Sequence, residues 1–128
     1  MDGVDFELKE WKLDAEVSWL QTFDIGIMPL TDDPWTKGKA GYKLLQYMSM
    51  GIPPVASAVG FNKELIQDGV NGFLAGTQEE WVKKLSLLIE SAELRKKMGS
   101  QARITIEEKY SLRKAEEKLL AVFKKVIA

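Results

Sequence analysis

Hydrophobic and polar positions change period along this chain, and the changes mark its elements. Val4, Phe6 and Leu8 alternate with Asp5, Glu7 and Lys9, predicting a half-buried strand over residues 4–11. Leu13, Val17 and Leu20 then fall at helical spacing, with Asp14 placed to cap that helix. The stretch FDIGIMPL at residues 23–30 is a short apolar run closed by Pro29, as expected of a strand buried on both faces. Residues 31–41 read as a loop. Leu44, Leu45 and Met48 mark the inner face of a following helix, which Met50 and Gly51 stop. Residues 55–59 form a third strand candidate, residues 62–67 one or two helical turns, and Phe73-Leu74-Ala75 a short fourth strand.

Beyond Gly76 the pattern is helical throughout. Thr77 and Glu80 have capping-box spacing and open a helix with the stripe Trp81, Val82, Leu85, Leu88 and Ile89. A second helix over residues 92–108 turns Leu94, Met98, Ala102 and Ile106 inward. Ser111 caps a last one carrying Ala115, Leu119, Phe123, Val126 and Ile127. Strands separated by helices imply right-handed crossovers and a parallel sheet. The fold class is therefore α/β: a Rossmann-like parallel sheet of about four strands, flanking helices and a helical C-terminal segment.

Composition narrows the chemistry. The 128 residues are one domain in size, and 45% hydrophobic with 29% charged residues is an ordinary globular balance. Eighteen basic and 19 acidic residues leave a net charge of −1, which gives no bulk attraction for nucleic acid. There is no cysteine and no histidine, so disulfides, thiolate metal sites and imidazole acid–base catalysis are excluded within this sequence. No apolar run reaches the length of a membrane span, and Met1-Asp2-Gly3-Val4 has no signal-peptide pattern; a cytoplasmic location is the expectation.

The candidate site is the segment TKGKAGYKLLQYMSMGIPPVAS at residues 36–57. Its lysine- and glycine-bearing loop feeds a helix N-terminus, where backbone N–H groups and the helix dipole hold anions such as phosphate. The N–H groups at Gly41 and Tyr42 would face the strand C-terminal edge, with Lys37, Lys39 and Lys43 adding charge. The turn at residues 59–62 should lie on the same edge. From spacing alone an ordinary solvated loop explains these residues equally well. Asp32 and Asp33 read as turn formers in preference to metal ligands. Trp35 either stacks on a sugar or base or pins the loop to the core.

In order and spacing, FDIGIMPL, KGKAGYKLLQYMSMGIPPVASAVG, KELIQDGVNGFLA and EEW resemble the C-terminal domain of group 1 (family 4) glycosyltransferases, the retaining GT-B enzymes. The resemblance covers nearly the whole chain, including LRKKMGSQAR and YSLRKAEEKL. It implies a hexosyltransferase-like parent enzyme that moves sugar from a UDP- or GDP-linked donor. Gly41, Tyr42, Lys43 and Lys39 would bind the donor diphosphate, Gln46 the ribose, and Lys37 and Gly38 would lie near the donor sugar. The family motif places glutamates at the positions of Gly38 and Gln46, so this chain departs from it twice. No catalytic residue, metal or cofactor is assigned.

The resemblance further implies an N-terminal acceptor domain and two earlier strands that residues 1–128 lack. The chain would then be a truncated, catalytically inactive donor-binding half, with its first strand re-paired, displaced or exchanged with a neighbouring chain. Homo-oligomerisation through the exposed sheet edge and peripheral membrane association of the parent complete the expected partners. A non-catalytic nucleotide-binding or protein-interaction module on the same fold is the rival reading; a nucleotide-sugar epimerase is a weaker one.

Overall fold

The computed structural model describes residues 3–38 and 41–127. Its sheet has three parallel strands in the order β1 (Gly26–Met28), β2 (Pro54–Ser57) and β3 (Phe73–Ala75). Ile27 pairs with Val55 and Val55 with Phe73, so the strands align in register across the sheet. The central strand is buried at all four positions, and its proline stands first, where a missing N–H is tolerated. The expected Rossmann-like class is therefore met with three strands, not about four. Helix α3 (Tyr42–Ser49) crosses from β1 to β2 and helix α4 (Asn62–Leu65) from β2 to β3.

Residues 4–10 form no strand. Val4, Phe6 and Leu8 are 61%, 60% and 88% exposed, because alternation stabilises a strand only when a neighbour accepts its backbone and covers one face. The segment pairs with no strand of the sheet and precedes the short helix α1 (Glu16–Leu20). Asp14 does not cap α1; Ala15 stands at the N-cap without a side-chain hydrogen bond.

Two apolar clusters hold the sheet. Met28, Leu44, Tyr47, Met48, Ala56 and Leu65 pack with Ala102 of helix α6 (Ala92–Thr105) on one face. Val55, Phe73, Ala75 and Met98 pack with Leu88 of helix α5 (Gln78–Glu90) on the other. Leu44, Tyr47 and Met48 sit at i, i+3 and i+4 of α3, so its buried stripe is narrow and fixes the helix rotation. The helix ends in a Schellman turn: Ile52 N–H donates to Tyr47 O at 2.9 Å and Gly51 N–H to Met48 O at 3.1 Å.

Thr77 caps α5, accepting from Glu80 N–H at 3.2 Å, while the Glu80 carboxylate accepts from Gly76 N–H at 2.6 Å. Of the α5 stripe, Leu88 is buried and Trp81 and Leu85 half-buried, but Val82 and Ile89 are exposed because no element covers that flank. Helix α6 stops at Thr105, and residues 106–108, expected within it, begin the π-turn Ile106–Tyr110. Helix α7 (Leu112–Ile127) follows, with Ser111 accepting from Lys114 N–H at 3.3 Å. Its apolar positions, Leu119, Phe123, Val126 and Ile127, are exposed; the amphipathic pattern is present but no cluster among the described residues covers it.

The Glu80 cap makes stability pH-dependent. The Gly76 N–H bond, more than any other contact, holds the carboxyl below its ordinary value of 4.5. A carboxyl depressed in the folded state stabilises above its unfolded pKa, and that contribution is lost as pH falls through the folded value. Glu80→Gln keeps an acceptor but cannot titrate. The wild type should melt higher than Glu80→Gln at neutral pH, with the gap closing on acidification below 4.5. Parallel melting curves across that range would exclude the linkage.

Candidate functional site

Part of the segment expected as a loop after β1 is a short helix. Asp33 caps a four-residue helix, α2 (Pro34–Lys37), accepting from Thr36 N–H at 2.7 Å, with proline in its first turn. Asp33 is held below the usual carboxylate range, chiefly by the Thr31 hydroxyl and next by Thr36 N–H. Its carboxylate is thus a helix cap. Asp-Pro followed by Thr two residues later was a readable signal of this helix. Asp32 pairs with Lys37 at 3.3 Å. Trp35 is 80% exposed, so it does not pin the loop to the core.

Gly41 opens α3. It is buried and left-handed at φ 65°, and a Cβ there would stand 3.0 Å from the Phe61 ring and 3.5 Å from Asn62 Oδ1. Only glycine takes both the backbone conformation and the close approach without strain. The turn after β2 therefore lies against the α3 N-terminus, on the same sheet edge, as expected. Ser57 ties the two loops together by accepting from Leu30 N–H at 2.7 Å, and Asn62 Nδ2 donates to Ser57 O at 2.9 Å. Phe61 and Asn62 belong to the turn expected on this edge, but their contact with Gly41 spans about twenty residues and leaves no local spacing from which to read it.

Among the described helices of eight residues or more, α3 is the one without a capping side chain; Thr77, Ser91 and Ser111 serve α5, α6 and α7. The N–H groups at the start of α3 have no intrahelical acceptors. They open on a cavity of about 530 Å³ lined by Ile27, Pro29, Leu30, Gly41, Tyr42 and Lys43. Tyr42 and Lys43 are exposed. The N–H groups of the helix start, its dipole and the Lys43 ammonium suit this cavity to an anion.

The structure brings Gly41, Tyr42 and Lys43 together at this cavity. Lys37 and Gly38 end α2 nearby: Lys37 Cα lies 3.0 Å from where a Gly60 Cβ would stand, so the end of α2 abuts the turn after β2. Lys39 lies outside the described residues. Gln46 lines a second cavity, of about 460 Å³, shared with Lys43, Glu16, Trp11, Trp19 and Phe23. There Gln46 Nε2 donates to Glu16 Oε1 at 3.0 Å. Tyr47 borders the same cavity, its hydroxyl donating to Ile27 O at 3.3 Å and its pKa raised by burial. No sequence signal joined Glu16 to Gln46, thirty residues apart.

The chain has recognisable relatives. The family model of glycosyl transferases group 1 matches residues 14–105. Spore coat protein SA of Bacillus subtilis (strain 168) is 30% identical over 81 residues, which cover 61% of this chain and 22% of that protein. The chain spans about a fifth of the length of the curated relatives it matches. The crystal structure of Anabaena HepE in complex with UDP and glucose superposes with a TM-score of 0.72 at 21% identity, over 84% of this chain and 29% of that one. The C-terminal domain of a group 1 glycosyl transferase family protein, LpcC of Francisella tularensis, gives 0.68 at 22% identity, over 85% and 53%. These structural likenesses carry the fold, a Rossmann-like domain of the GT-B type, and the family match covers most of the chain. The chain belongs to the group 1 glycosyl transferases.

Proposed function

We propose that the protein carrying this chain transfers a sugar from a UDP- or GDP-linked donor to an acceptor with retention of anomeric configuration, and that this chain holds the donor. The observation that carries the reading is the uncapped N-terminus of α3, opening beside β1 on a cavity with Lys43. The Anabaena HepE structures with UDP and glucose and with UDP-glucose support a nucleotide-sugar as the ligand class. Departure of a nucleoside diphosphate builds negative charge on its phosphates. The N–H groups of the first α3 turn are fixed by the helix before reaction, so they stabilise that charge without reorganising, and the Lys43 ammonium beside them adds positive charge. Gln46 meets the ribose, and Lys37 and Gly38 lie towards the donor sugar.

Acceptor contacts come from a separate N-terminal domain, so this chain alone binds donor weakly and turns nothing over. A cytoplasmic location, peripheral membrane association of the whole enzyme, and self-association through the open edge of β1 belong to the same proposal. The rival, a non-catalytic nucleotide-binding module, draws on one observation: Gly38 and Gln46 bring no carboxylate of their own to the site.

Calorimetric titration of UDP, GDP and UDP-glucose into the protein that carries this chain tests the reading. Lys43→Ala should weaken binding about tenfold or more, as expected for a charge-assisted bond to phosphate. Absence of nucleotide binding, or equal affinity in the variant, refutes the phosphate site. Nucleotide binding without sugar transfer in the whole protein favours the rival.

A further inference from the structure

The second cavity lies between the segment around residues 7–11, α1 and α3, and Lys43 borders both it and the anion cavity. Lys43 and Gln46 are one turn apart on the same face of α3, about 5–6 Å between Cβ atoms. A ligand whose phosphates sit at the helix start can therefore extend along α3 into the second cavity. What it meets there is specific chemistry. Glu16 is half-buried, accepts from Gln46 Nε2 through Oε1, and its carboxylate makes no other hydrogen bond among the described residues. Trp11, Trp19 and Phe23 supply ring faces around it. A carboxylate and an amide side by side, bordered by aromatic rings, suit a vicinal diol on a flat-faced sugar. The carboxylate accepts from one hydroxyl and the amide carbonyl from the next.

We propose that Glu16 is a specificity-determining residue of the nucleotide site. It orients the Gln46 amide by accepting its N–H, which turns Gln46 Oε1 outward as an acceptor, and it offers its own Oε2 to a ribose hydroxyl. In this way α1 supplies the charge that position 46 itself lacks. The inference rests on the diphosphate reading above, because the phosphates set where the ribose lies.

The test compares UDP and GDP with their 2′-deoxy and 3′-deoxy analogues, and with inorganic pyrophosphate, on wild type, Glu16→Gln and the reciprocal swap Glu16→Gln/Gln46→Glu. Wild type should prefer the ribonucleotides over at least one deoxy analogue by about tenfold or more, the size of a hydrogen bond to a charged group. Glu16→Gln should bring that ratio close to one and leave pyrophosphate affinity unchanged. The swap keeps one carboxylate and one amide in contact and should restore the preference. A merely structural role for Glu16 would lower all affinities together and leave the ratio alone. An unchanged ratio in Glu16→Gln, or no recovery in the swap with pyrophosphate still bound, overturns the proposal. Failure of pyrophosphate and nucleotides alike to bind wild type overturns the diphosphate reading, and this one with it.

Discussion

Gly99→Ala should destabilise the domain by about 2 kcal/mol or more, although alanine is the better helix former. Gly99 lies inside α6, where exchanging glycine for alanine ordinarily gains about 1 kcal/mol. Here the helix backbone rests on the Schellman turn that ends α3. A Cβ on Gly99 would collide with the Gly51 carbonyl oxygen and stand 2.9 Å from its carbon and 3.5 Å from Pro53 Cδ. None of these is the end of a flexible side chain. Relief requires α6 to move away from the turn, which pulls Ala102 and Met98 out of the two clusters. Overpacking costs about 1–3 kcal/mol and sometimes more, and backbone obstacles put this case at the upper end. Gly38→Ala is the contrast: φ is −81° and the nearest atom to its Cβ is Trp35 O at 3.5 Å, so it should be near neutral. Thermal unfolding by circular dichroism distinguishes the two; equal melting temperatures for Gly99→Ala and wild type would show that α6 does not pack as described.

The parts of the fold legible in the sequence were those whose signal is local. Phe73-Leu74-Ala75 is apolar between two Asx-Gly steps and Gly76, and it is a strand with those bounds. Thr77 caps the helix by accepting from Glu80 N–H as their spacing announced, with the Glu80 carboxylate reaching back one residue further, to Gly76 N–H. Residues 55–59 shifted to Pro54–Ser57 because pairing with β3 ends at Ala75, which sets where β2 stops. Residues 4–11 and the stripe of α7 show the limit of periodicity. Both patterns are present in the sequence, and neither is buried in this chain, since periodicity states which face prefers contact and not whether a partner exists. The position of Gly41, Tyr42 and Lys43 at a helix start was readable because a helix N-terminus is a local feature. The Phe61 wall and the Glu16–Gln46 bond were not, because they join residues brought together only by the crossover.

Leu44→Ala should cost about 2–5 kcal/mol, the usual range for emptying a fully buried leucine site. Its effect on ligand binding is the more informative part. Leu44 follows Gly41, Tyr42 and Lys43 directly and is the first side chain of α3 sunk in the cluster with Met28, Ala56 and Leu65. It therefore anchors the same turn whose N–H groups face the anion cavity. Met98 is equally buried, but in the cluster on the opposite face of the sheet, against Leu88 and Val55. Met98→Ala should destabilise by a comparable amount without loosening that turn. Nucleotide binding raises the melting temperature in proportion to the logarithm of ligand concentration over Kd. The UDP-induced rise should thus survive in Met98→Ala and shrink in Leu44→Ala, while Leu44→Met, which nearly conserves volume, keeps both stability and response. An equal UDP response in Leu44→Ala and Met98→Ala would separate the anion site from the first turn of α3. A selective loss ties the core of the sheet to the chemistry at its edge, through one helix and the glycine that opens it.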